Sequence, residues 1–205
     1  MSPAATLIAV ANPFSMEGIM RSHALSSGPW ARRALAGIAV VVFHGAAPAH
    51  AQVACTLLQP AEMEAALKEW APSGKAAKFA PATDTAGGMT TDTCTAEIVR
   101  PNGHLVVTVV VVKNAPMDGG DAIRTRNAAM AREGQWKVSG AQFEQRTVGT
   151  AICTMYGRPS VAAHSVCAIP RGRGYVEVDV QSPAQKEMAS MEAVGGLVQK
   201  ASTRF

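Results

Sequence analysis

Four cysteines, Cys55, Cys94, Cys153 and Cys167, set the frame for any fold of this chain. All lie after residue 51, and an even number of cysteines in an exported chain reads as disulfides rather than free thiols. The sign of export is at the other end. Arg32-Arg33 is followed by the apolar run Ala34 to Phe43 and then by Ala49-His50-Ala51. A positive end, a short apolar stretch and small residues at positions −3 and −1 make a secretory signal, with cleavage expected after Ala51. The run is about 10 residues, half of the roughly 20 a membrane-spanning helix needs. The flanks of the arginine pair fit general secretion better than the twin-arginine route, and Met16 or Met20 offer alternative starts. The expected organisation is an N-terminal extension and cleavable signal over residues 1–51, then one disulfide-stabilised domain over 52–205. The expected location is periplasmic or secreted.

Four cysteines allow three pairings. We favour Cys55–Cys94 and Cys153–Cys167. The second pair flanks a hairpin, and closing a loop of about 15 residues contributes roughly 3 kcal/mol by constraining the unfolded chain. Zinc is a poor alternative, because there is no C-x-x-C and residues 52–205 hold only His104 and His164. A rival role for Cys55 is a lipid-modified N-terminus, but Gln52-Val53-Ala54 lacks the Leu favoured at −3, and an odd three cysteines would remain.

Composition supports a packed core, with 48% hydrophobic and 17% charged residues. The formal charge of +4 falls to +2 once Arg21, Arg32, Arg33 and Glu17 leave with the signal. That removes most of the case for nucleic acid, which calls for a basic stripe.

Along the domain, Pro60 suits the first helical position, and Glu62 and Glu64 suit a helix N-terminus. Met63, Ala66, Leu67 and Trp70 recur at helical spacing, predicting a helix over 60–70. Residues 71–90, rich in Ala, Pro, Gly and Thr, read as a loop. Alternation over Cys94 to Arg100 predicts a strand, Pro101-Asn102-Gly103 a three-residue turn, and the apolar Leu105 to Val112 a central strand. Residues 121–133 read as a mostly exposed helix with Asp121 as cap and Gly134 as stop, followed by a short extended stretch at Trp136 and Val138. Val148 to Tyr156 and Val161 to Ile169 form a hairpin. Tyr175 to Gln181 alternates, with Val176, Val178 and Val180 inward and Tyr175, Glu177 and Asp179 on a solvated face. Ser182-Pro183-Ala184-Gln185 carries the cap, proline and capping-box glutamine of a final helix, in which Gly195-Gly196 weakens the middle or allows close packing. The expected fold is α+β: a mainly antiparallel sheet of about five strands, with three helices packed largely on one face, in the order α-β-β-α-β-β-β-α.

The start of the domain, Cys55-Thr56-Leu57-Leu58-Gln59-Pro60-Ala61-Glu62, resembles small bacterial exported domains of unknown function, often lipoproteins, that begin Cys-x-Leu-Leu-x-x-x-Glu. The likeness extends to the helix that follows, a second cysteine in the first strand (here Cys94) and a closing Ala-rich helix. It implies an envelope location and a non-catalytic fold, and it brings no catalytic residues. This chain departs from the pattern in its poor lipid-attachment site and in the extra pair Cys153 and Cys167.

The chemistry-bearing patterns are mostly missing. There is no G-x-S-x-G, H-E-x-x-H, G-x-x-x-x-G-K-[ST] or G-x-G-x-x-G, and no cofactor or catalytic residue is assigned. A histidine base would have to be assembled from His104 or His164 with Ser160 or Ser165. Asp118 and Asp121 around Gly119-Gly120 supply too few oxygens for calcium and read as helix capping. Arg171-Gly172-Arg173-Gly174 is a cationic turn, with Arg171 and Arg173 as candidate anion contacts, and Arg124, Arg126 and Arg132 add a positive helix face. The scattered methionines read as core filling. The segment around Gly157, Arg158, Pro159, Ser160 and His164, clipped at its base by the second cysteine pair, is the candidate contact loop for an envelope protein or a cell-wall partner. The expected function is a non-catalytic binding or interaction domain of the bacterial envelope. The alternatives are an inhibitor or immunity protein against a toxin or hydrolase, and a small envelope hydrolase.

Overall fold

Leu105 to Val112 does run through the middle of a sheet, and the rest of the chain is arranged around it. The computed structural model describes residues 51–101, 103–132, 140–158 and 162–205. Two short helices, α1 (Ala51–Thr56) and α2 (Pro60–Ala66), precede an antiparallel meander of β1 (Lys75–Ala86), β2 (Met89–Arg100) and β3 (Gly103–Lys113). Helix α3 (Gly119–Arg132) leads to a second meander, β4 (Gln142–Val148), β5 (Ala151–Gly157), β6 (Ala163–Arg171) and β7 (Gly174–Ser182). A 3-10 turn at Gln185–Glu187 and α4 (Met191–Ser202) follow. The strands form one sheet in the order β1-β2-β3-β7-β6-β5-β4, with every neighbouring pair antiparallel.

The fold corrects the expected one in strand number and element order. Among the described residues the sheet has seven strands rather than about five. Among the described residues the order is two helices, three strands, a helix, four strands and a helix. The expected loop over 71–90 holds β1, the start of β2 and the tight Gly87-Gly88 turn between them. β4 fills a stretch with no apolar alternation. Among the described residues both unexpected strands are the sheet's edges, with a neighbour on one side only, and an edge beside solvent has less demand for a hydrophobic pattern.

Register places alternate residues on opposite faces. One face carries Ile98, Ala96 and Cys94 of β2, Leu105, Val107, Val109 and Val111 of β3, Val176, Val178 and Val180 of β7, and Cys167 and Cys153. These are buried beneath α1, α2 and α4. Met63 and Leu67 dock as the helical spacing predicts, although α2 ends at Ala66 and the chain continues in turns to Trp70. The closing helix starts later than expected. Ser190, not Ser182, is its N-cap, and its hydroxyl accepts from the Ala193 amide at 3.2 Å. Ser182 still belongs to β7. At Gly195 α4 packs closely on the sheet: a Cβ there would sit 2.9 Å from Val148 Cγ1, whereas Gly196 faces open space.

Both cysteine pairings are as expected. Cys55–Cys94 ties α1 to β2, with a Cα–Cα separation of 5.0 Å. Cys153 and Cys167 are direct register partners on β5 and β6. With its sulfur bonded to Cys94, Cys55 has no thiol left for a lipid. The expected turn after β2 is tighter than three residues, since Arg100 pairs with Gly103, whose φ is 113°. Residues 1–50, including the expected signal, and Gly134, Trp136, Val138, Pro159 and Ser160 lie outside the described residues. No helix of the described residues is long and apolar enough to cross a membrane.

Candidate functional site

The second face of the sheet is built differently. On β7 it presents Tyr175, Glu177 and Asp179, with His164 and Val166 of β6 and Thr154 and Tyr156 of β5 alongside. The strand pattern predicts this face to be solvated. Instead α3 lies across β6 and β7, and Glu177 is only 8% exposed. A helix with a thin apolar stripe can cover a sheet this way because its polar side chains meet polar partners. Ile123 is fully buried, and beside it Arg126 of α3 forms an ion pair with Glu177. The Arg126 guanidinium also lies over the Tyr175 ring, 5.8 Å from its centre. Burial works against the charge of Arg126, but the Glu177 carboxylate more than offsets it, so its pKa lies above the ordinary arginine value.

Next to this pair sits His164. Its Nδ1 is 3.0 Å from Asp179, and its ring stacks on Tyr156 with 4.7 Å between centres. Burial, followed by the charges of Asp179 and Glu177, pushes the Tyr156 hydroxyl above its usual pKa, so the phenol stays protonated. Burial also raises Tyr175. Two side chains under or beside α3, Asn127 and Thr154, are each 1% exposed, and among the described residues Asn127 Nδ2 and Thr154 Oγ1 have no hydrogen-bond partner. Asn127 Oδ1 accepts from its neighbour Arg126.

The residues singled out from sequence scatter around this cluster. His164 is central to it, and Gly157 and Arg158 lie at the end of β5 beside it. His104 is exposed near the start of β3, two strands away. Ser165, the neighbour of His164, points to the opposite face and donates to the Ala189 carbonyl, because successive strand residues alternate. Arg171 donates to the Ser202 carbonyl at the end of α4, and Arg173 to the Ala115 carbonyl at 3.0 Å, so both arginines of the cationic turn tie loops together. Asp118, rather than Asp121, caps α3 by accepting from the Gly120 amide, and Asp121 pairs with Arg124. Among the described residues no group of three His, Cys, Asp or Glu side chains could hold a metal.

Glu177, Asp179 and Tyr156 were missed as site residues because their alternation looks like an ordinary solvent face. A signal was available: three residues of alternating polarity, Tyr175, Glu177 and Asp179, stand opposite a helix with Arg126 on its thin stripe. Two shallow depressions, of about 300 and 410 Å³, lie elsewhere, against α2 and around Gln185, and His164 lines neither. Set against family models, the chain matches none, and no curated protein matches it significantly.

Proposed function

We propose that residues 52–205 form an exported, non-catalytic binding domain of the bacterial envelope. The observation that carries this reading is the base of the 157–164 segment. Cys153 and Cys167 are bonded across β5 and β6, and three residues further along the same strands the Tyr156 ring stacks on His164 beside Asp179. A cross-strand bond this close to a loop limits the conformations the loop visits, which lowers the ordering cost of binding. Two disulfides are compatible with an oxidising compartment. The signal-like N-terminus and the even cysteine count support export. An inhibitor or immunity role is a special case, with the clipped loop as the blocking element. The test is a pull-down from envelope extract at physiological salt. Wild type should recover a partner that Arg158→Ala/His164→Ala loses, and a pull-down with no partner would count against the proposal.

One feature favours a second reading. His164 has Nδ1 held by a carboxylate, which is the base-and-orienter half of a hydrolytic site. If the domain is a small hydrolase, His164→Ala abolishes turnover of an envelope substrate while His104→Ala does not. Unchanged turnover in His164→Ala removes this reading.

A further inference from the structure

The contacts of Arg126 are those by which proteins recognise guanidinium groups. A carboxylate, Glu177, holds one edge of the group, and an aromatic face, that of Tyr175, lies beneath it. A second carboxylate, Asp179, which also holds His164 Nδ1, stands two residues further along the same face of β7. The carboxylates belong to the rigid sheet, and the cation belongs to a helix of low apolar content. The Arg126 side chain keeps 31% of its exposure and that of Glu177 10%, so the cation has a route out to solvent while the carboxylate stays in place. Among the described residues, the buried Thr154 Oγ1 on this face of the sheet and Asn127 Nδ2 of α3 have no hydrogen-bond partner, so the polar groups on this side are not fully satisfied in the resting arrangement.

We propose that Glu177, Tyr175 and Asp179 form a binding site for an external guanidinium group, which Arg126 occupies in the resting chain. The proposal rests on the reading of the domain as a binding module, adds a site on the polar face to the 157–164 segment, and names the chemistry of what it binds: an arginine side chain of a partner or a small guanidinium compound. Swinging Arg126 outward would exchange one charge-assisted pair for another, leaving the buried carboxylate neutralised throughout.

Isothermal titration of Arg126→Ala with agmatine and with a capped Gly-Arg-Gly peptide tests this directly. At least one should bind at least tenfold tighter to Arg126→Ala than to wild type, and Arg126→Ala/Glu177→Gln should lose the gain. Tighter binding of the peptide assigns the group to a protein partner, and tighter binding of agmatine assigns it to a small molecule. No binding to Arg126→Ala, or equal binding of a Gly-Lys-Gly peptide, would overturn the proposal. Should Arg126→Ala not fold, hydrogen exchange on wild type decides: agmatine should speed exchange of the α3 amides more than butylamine does at equal concentration, and equal effects would overturn it. Neither measurement needs a native partner, so a failed pull-down and a failed titration are distinguishable.

Discussion

On one face of the sheet, α1, α2 and α4 bury Leu57, Leu67, Val194, Leu197 and Val198 against a floor of valines, and both disulfides lie on that side. On the other, α3 rests on two tyrosines, a histidine and two carboxylates, with Ile123 as its fully buried apolar anchor. The first face is stabilised by area removed from water, which is non-directional and tolerant of small shifts. The second depends on pairs that must meet in one geometry, and its charges lose solvation on burial. The two faces thus divide the work: one secures the fold by apolar burial, and the other holds the buried charged and aromatic groups.

The largest test of that division is the covalent one. Cys55→Ala/Cys94→Ala opens a loop with a sequence separation of 39 and should cost about 4 kcal/mol in urea unfolding. Cys153→Ala/Cys167→Ala, with a separation of 14, should cost about 3 kcal/mol. A reversed ranking would mean that the α1–β2 tie contributes less than its span implies.

On the polar face, Glu177→Ala strands Arg126. Because that arginine can turn toward solvent, the expected cost is about 2 kcal/mol, below the 3–5 kcal/mol of a fully buried pair. A loss beyond 4 kcal/mol would show that α3 is as integral to the fold as α4.

A third experiment uses pH. Glu62 accepts from the Gln59 amide and from Arg204, and the Arg204 hydrogen bond, with the amide next, lowers its pKa to about 2. A folded pKa below the unfolded one contributes stability that is complete above the unfolded pKa of about 4.5 and lost as pH falls toward 2. Arg204 is partly exposed, so Glu62→Gln should cost only about 1 kcal/mol at pH 7. Its stability should then fall less steeply than that of wild type between pH 5 and 2, and parallel acid profiles would remove Glu62 from the account.

The smallest effect has the opposite sign. Thr154→Val replaces a buried hydroxyl that has no partner among the described residues with a methyl of similar size and should stabilise by about 1 kcal/mol in urea unfolding. A destabilised Thr154→Val would mean that the hydroxyl has an ordered partner.

The apolar face was legible from sequence because its signals are local and periodic. Alternation in Val176, Val178 and Val180 and the unbroken run at Leu105 to Val112 report burial directly, and the cysteine spacing around Ser160 reports the β5–β6 register. The edge strands gave no such report. Pro81 and the alanines of β1, and the glutamines and charges of β4, are what strands carry when half their surroundings are water. The start of α4 was misplaced because Ser182-Pro183-Ala184-Gln185 has the composition of a cap, but it opens only a 3-10 turn at Gln185 before the chain restarts at Ser190. Of the candidate site, His164 was found by residue type. Its partners were not, because Asp179 and Tyr156 come to it across strands whose pairing must be known first.

The placement of α4 has a consequence for the order in which the chain can fold. Residues 191–202 are made after every strand they cover, and Arg204 bonds to the Leu57 carbonyl between α1 and α2 and to Glu62 of α2. Until that segment emerges, the valine floor has no lid and α2 lacks its clamp. A chain held back at its C-terminal end therefore leaves the apolar face that α4 covers open to water.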